Sequence, residues 1–195
     1  MMGDKGINKN SKKVVKEILE DSIGVEIGVW KGSSSKQFLK KAKHLHLVDS
    51  WSVEPYKSSN EHGTYENYLE RYSKLVGSSN PLDFEKYYEE TYQQVCRDFK
   101  DKNVTIHRML SKDFLDSFNE KVDWVYIDGA HDFFGCYSDI VGCSKILKPN
   151  GVIFGDDYNQ KTKPGVKKAV DFFVLEHNFL LEYLGSNQYK IRMQQ

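Results

Sequence analysis

The feature that most constrains this chain is a repeated unit in which a short apolar run ends on an acid or a glycine and gives way to residues at helical spacing. Residues 23–29 carry Glu26 and close on Gly28 and Gly32, 45–48 stop at Asp49, 122–127 at Asp128, and 151–154 run on to the Asp156-Asp157 pair. Residues 104–106 add a shorter run. Apolar residues three and four apart mark the intervening helices: Val14, Val15, Ile18 and Leu19; Phe38, Leu39 and Ala42 behind the N-cap candidates Ser33, Ser34 and Ser35; and Tyr137, Ile140, Val141 and Leu147 ahead of Pro149. A further helix is predicted around 166–175, after which 179–184 and 188–193 flank Gly185-Ser186-Asn187, a hairpin signal. Buried strands that alternate with helices require a mostly parallel sheet covered on both faces. The predicted class is α/β, three-layered and doubly wound.

At 195 residues the chain has room for one such domain, 1–195, with polar residues 1–10 expected to fray. One stretch departs from the alternation. Residues 50–103 separate two strands by about twice the length that a crossover helix with loops needs, and seven of the twelve tyrosines fall there. Tyr65, Tyr68 and Tyr72 share one helical face, as do Tyr88 and Tyr92. Two readings stand: helix packing against the sheet, or a Tyr-rich cap at about 52–95 that closes over a small polar ligand.

Lys plus Arg total 28 and Asp plus Glu total 28, so no basic surplus is present for phosphate contacts, and nucleic acid is not an expected partner. No apolar stretch approaches the ~20 residues of a membrane span, and the polar start lacks a secretory signal. The expected setting is the cytoplasm, the expected partner a small-molecule substrate, and a homodimer is left open. Cys96, Cys136 and Cys143 form no metal or disulfide pattern and read as reduced packing residues.

In open α/β sheets a ligand sits beyond the carboxyl ends of the strands, so the acids there are the candidate site. Gly28 and Gly32 suit any tight strand-to-helix turn, yet they also let backbone approach a ligand, and the following helix start with Ser34 offers free N–H groups to an anion. Asp49 lies 21 residues past Gly28, near the ~20-residue offset at which an acid meets a ribose. A nucleoside ligand follows. A dinucleotide fingerprint needs G-x-G-x-x-G, but from Gly28 the chain reads Gly-Val-Trp-Lys-Gly, and Glu26 would repel a diphosphate while favouring an ammonium group. Trp51 can reach the adenine or ribose, or pack its own loop.

Here the sequence resembles the class I S-adenosylmethionine-dependent methyltransferases, whose first motif is an acid-x-Gly-x-x-x-Gly turn and whose second is an acid ending the next strand. The blocks Tyr126-Ile127-Asp128-Gly129-Ala130-His131, the run from Leu147 to Tyr158, and Pro164-Gly165-Val166-Lys167-Lys168-Ala169-Val170 are similar to small enzymes related to the catechol, caffeoyl-coenzyme A and macrolide-sugar O-methyltransferases. The resemblance implies a seven-stranded Rossmann-like methyltransferase sheet that ends in an antiparallel hairpin. It implies that Glu26, Gly28, Gly32 and Ser34 hold the methionine end, Asp49 the ribose, and Met109 with Ser111 the adenine edge. It further implies one Mg2+ on Asp128, Asp156 and Asp157. Three converging carboxylates would repel unless protonated or bridged by a hard cation, although such acids also cap helices and bond amides in metal-free relatives. His131 stands where the catechol-type enzymes carry a lysine base; it can take a proton from a hydroxyl or be structural. Lys161, Thr162 and Lys163 read as a solvated charge run, with substrate contact the other reading. The expected activity is O-methylation of a small hydroxylated metabolite or sugar; a nicotinamide-dependent oxidoreductase and a non-catalytic S-adenosylmethionine-binding module are the rivals.

Overall fold

The structure is a computed structural model that describes residues 11–58 and 63–192. The expectations for residues 1–10 and Met193 lie outside the described residues.

The described residues form one seven-stranded sheet, made of β1 (Ser22–Ile27), β2 (Ala42–Asp49), β3 (Val104–Arg108), β4 (Val122–Ile127), β5 (Leu147–Gly155), β6 (Leu180–Gly185) and β7 (Gln188–Arg192). Their order is β3-β2-β1-β4-β5-β7-β6. β1 to β5 pair in parallel, and β7 runs antiparallel to both β5 and β6. The strand order reverses between β1 and β4, the place where such sheets open a crevice.

Alternation along the strands assigns the two faces. Val25, Ile27, Val125 and Ile127 pack with α6 (Ser111–Ser117), α7 (Phe133–Ile146) and α8 (Pro164–His177). Trp124 and Tyr126 face the other way, with α1 (Ser11–Glu17), α2 (Ser35–Phe38) and the end of α5 (Pro81–Asp98). Phe38 presents its edge to both rings, at 5.5 Å from Trp124 and 4.8 Å from Tyr126. The helix behind the serines is shorter than its spacing suggested: Ala42 opens β2 instead of extending α2. No helix among the described residues is long and apolar enough to cross a membrane.

Register brings the strand ends level. The Gly28 amide donates to the Val48 carbonyl at 2.9 Å, the Asp128 amide to Ile27 at 2.8 Å, and the Asp156 amide to Ile127 at 3.1 Å. Each acid or glycine therefore leaves its strand at the same height.

The long stretch before β3 folds as α3 (Glu54–Ser58), α4 (Tyr65–Val76) and α5. Thr64 caps α4 by accepting from the Asn67 amide, Gly77 ends it in the left-handed region, and Asn80 with Pro81 starts α5. The insert packs in two parts. The last turns of α5 put Val95 on the sheet, whereas its start joins α3 and α4 in a separate small core of Val53, Tyr68, Leu69 and Phe84.

Candidate active site

A cleft of about 1140 Å³ opens beyond the carboxyl ends of β1, β2 and β4. Glu26, Gly28, Ser34 and Asp49 line one end of it, with Met109 and Ser111 beside them. Gly28 has φ +88°, and a Cβ there would stand 2.1 Å from the Asp128 carbonyl oxygen, so no other residue fits the turn without moving β4. Glu26 is buried and accepts a hydrogen bond from the Ser35 hydroxyl at 2.5 Å. Burial, against that bond and helped by Asp128 and Asp49, lifts its pKa well above the ordinary carboxylate range. Asp49 accepts from the backbone amides of Trp30 at 2.9 Å and Trp51 at 2.7 Å. Burial raises its pKa too, against the pull of these amides. With the Val29 amide also bonded to it, the carboxylate keeps about one lone pair for a further donor.

Two expected contacts fall elsewhere. Trp51 is only 1% exposed; its indole N–H donates to the Trp30 carbonyl at 2.8 Å and its ring packs on Tyr92, so it is core and not cleft wall. Gly32 does not line the cleft either, because its place is taken up by packing: a Cβ there would meet the Phe99 ring at 2.7 Å. The Ser111 hydroxyl is already committed, donating to Asp139 at 2.6 Å. Asp139, on α7, was missed by sequence reasoning. It also accepts from the Ala130 amide and so ties the turn after β3 to the turn after β4; burial raises its pKa to about 6.

The acids after β4 and β5 do not meet as a trio. Asp128 and Asp157 approach His131, with distances to its Nε2 of 3.7 Å and 3.1 Å. Asp156 points inward, accepting from the Asp157 amide at 2.8 Å and lying 3.4 Å from the Tyr126 hydroxyl. Neighbouring positions at the end of an extended strand diverge, and the left-handed backbone at Asp157 (φ 63°) turns only that side chain to the cluster. Burial, then the charge of Asp128, pushes the Asp156 pKa up to about 7. Ligand atoms of Asp128, His131 and Asp157 lie within 4.8 Å of one another, so the expected set of Asp128, Asp156 and Asp157 is corrected by exchange of Asp156 for His131.

Lys163, read above as a solvated charge, enters this cluster. Its Nζ lies 2.5 Å from Asp157 Oδ2 and 2.8 Å from His131 Nε2, and it lines the cleft. Burial favours the neutral form of Asp157, yet the contacts with His131 and Lys163 outweigh it and hold its pKa below the usual value.

The insert supplies the facing wall. Tyr56 and Tyr68 stack at 4.1 Å with 8° between their planes, the Tyr68 and Tyr88 hydroxyls are 2.7 Å apart, and Tyr72 and Tyr87 also line the cleft. Burial lifts the Tyr68 phenol above its usual pKa and keeps it neutral. The tyrosine periodicity was the only sequence signal for this wall.

A family model described as a methyltransferase domain matches residues 25–158. No curated protein matches the chain. Among solved structures, the O-methyltransferase NovP is similar over 97% of this chain and 78% of its own, with 16% identity and a TM-score of 0.61. The N-methyltransferase NodS from Bradyrhizobium japonicum, in complex with S-adenosyl-L-homocysteine, is similar over 97% of this chain and 86% of its own, with 12% identity and a TM-score of 0.60. An rRNA methylase from Streptococcus thermophilus covers 100% of this chain and 99% of its own at 11% identity, with a TM-score of 0.57. At these identities the likeness is one of fold.

Proposed function

Because the chain belongs to the methyltransferase-domain family, as a class I S-adenosylmethionine-dependent methyltransferase, we propose that it methylates a hydroxyl oxygen of a small molecule seated beneath the tyrosine wall. One observation supports this reading: Glu26, Gly28, Asp49, Asp128 and His131 line a single cleft, so residues suited to a methyl donor and to a proton acceptor share one space. When bound, S-adenosylmethionine supplies an electrophilic methyl group on a sulfonium.

The residues on the donor side fit that group. Glu26 would face its ammonium, Gly28 and Ser34 the rest of the methionine end, Asp49 the ribose hydroxyls, and Met109 with Ser111 the adenine edge. Beside them Asp128 and His131 orient the acceptor hydroxyl, and His131 takes its proton as the oxygen bonds to the methyl carbon and the carbon–sulfur bond breaks. Alignment of oxygen and methyl group within the cleft is the main contribution asked of the protein. We assign residues 52–95 as the cap of a single domain, closing over the acceptor with its tyrosines.

For the divalent ion expected from the resemblance, the donor set argues against a fit. Mg2+ favours six oxygen ligands, whereas here the converging atoms include an imidazole nitrogen, and Asp156 is engaged elsewhere. No step is assigned to it.

The balanced charge of the chain, 28 basic against 28 acidic residues, favours a small acceptor over RNA. Calorimetry with S-adenosylhomocysteine, NAD as control, and methyl transfer to panels of phenols, sugars, amines and RNA test the reading. Binding of S-adenosylhomocysteine with turnover on hydroxylated acceptors, lost in His131→Ala, is expected. Turnover confined to amines or RNA, or absent throughout, would overturn it.

A further inference from the structure

We propose that the ammonium group of Lys163 takes the cation position of this site, so that the acceptor is held without a divalent ion. This rests on the reading above in placing the acceptor beside His131.

The geometry around Nζ is that of a bound cation. Asp157 Oδ2 and His131 Nε2 stand 3.1 Å apart, and the ammonium lies 2.5 Å from the first and 2.8 Å from the second. In the resting site one N–H is directed at the carboxylate and another at Nε2; an acceptor hydroxyl seated between the two side chains takes over the Nε2 lone pair, the ammonium turning that N–H to the acceptor oxygen. A metal ion would need the same two lone pairs. Lys163 lines the cleft in which that oxygen lies.

The backbone fixes the lysine there. Lys163 immediately precedes Pro164, which opens α8 with its ring-fixed φ. Gly165 follows, and a Cβ on it would stand 2.5 Å from the His131 carbonyl oxygen and 2.7 Å from the Asp132 carbonyl carbon. The start of α8 is therefore pressed against the turn that carries Asp128 and His131, a close approach only glycine permits. The side chain is 24% exposed, so its charge is less screened than that of an ordinary surface lysine.

Charge leads to the same conclusion. Two carboxylates converge on His131, those of Asp128 and Asp157, while Asp156 is engaged by the Asp157 amide and the Tyr126 hydroxyl. One ammonium offsets half of their charge, whereas an added divalent ion would sit within hydrogen-bond reach of that ammonium and be repelled by it.

The test is ion binding, which needs no acceptor and so separates failure of this inference from failure of the proposed reaction. Protein stripped with EDTA and saturated with S-adenosylhomocysteine is titrated with MnCl2, free Mn2+ being read by electron paramagnetic resonance, and with MgCl2 by calorimetry. Wild type is expected to bind neither ion stoichiometrically below millimolar concentration. Lys163→Met is expected to gain one Mn2+ site at least tenfold tighter, which Asp157→Asn in the same chain removes, with affinity for S-adenosylhomocysteine changed less than twofold. Stoichiometric binding to wild type as tight as to Lys163→Met would overturn the proposal, as would a folded Lys163→Met protein that gains no site. Should Lys163→Met fail to fold, Lys163→Gln serves under the same criteria.

Discussion

Replacing Asp139 with asparagine probes the bridge between the two turns that floor the cleft. Asp139 is 4% exposed, and burial raises its pKa from 3.8 to about 6. The folded chain therefore holds this proton more tightly than the unfolded chain. Its contribution to stability is complete below the unfolded pKa and is lost as pH rises through the folded one. This rise corresponds to roughly 3 kcal/mol lost by pH 8 and about half of that by pH 5, as an upper figure. Asparagine does not ionise. Its oxygen can accept from the Ala130 amide while its amide donates to the Ser111 hydroxyl, which accepts as readily as it donates. Urea denaturation of both proteins between pH 5 and 8 should show Asp139→Asn to be the more stable, with the gap widening from about 1.5 to about 3 kcal/mol. A gap that stays constant across this range would refute the claim that a buried carboxylate ionises there. A deficit of the variant at every pH would show that the reversed bonds cannot form.

Four further outcomes are expected. Asp49→Asn should weaken S-adenosylhomocysteine by about 1.5–3 kcal/mol, or roughly 10- to 150-fold, in calorimetry, through loss of a charge-assisted bond to the ribose. Gly28→Ala places a Cβ 2.1 Å from the Asp128 carbonyl oxygen at φ +88° and should cost about 2–5 kcal/mol of stability in urea, from left-handed strain plus overpacking. The raised pKa of Glu26 means that an incoming ammonium favours its ionised form. Binding of S-adenosylhomocysteine should then release protons, seen as a dependence of the calorimetric heat on buffer ionisation, and tighten as pH rises above the ordinary carboxylate range; Glu26→Gln should abolish both effects. Tyr88→Phe deletes one of the paired hydroxyls in the wall and should raise KM for the acceptor while leaving kcat and S-adenosylhomocysteine affinity nearly unchanged.

Sequence alone determined the fold class and one end of the cleft. Strand periodicity is local, and the carboxyl end of each strand is where a parallel sheet must present its polar residues, so Glu26, Gly28, Asp49 and Asp128 could be placed from spacing. Side-chain direction could not. Whether Trp51 faces a ligand or the core depends on α5 lying over it, and whether Gly32 serves a ligand or makes room for Phe99 depends on the same helix. The Asp156-Asp157 pair reads as two equivalent carboxylates until the left-handed turn at Asp157 sends them apart. Lys163 and Asp139 look like ordinary polar residues of a loop and a helix; only long-range packing brings one to His131 and the other to Ser111. Position along the chain is encoded locally, but the charge a site carries is the sum of groups converging from distant segments, and that sum exists only once the tertiary structure has formed.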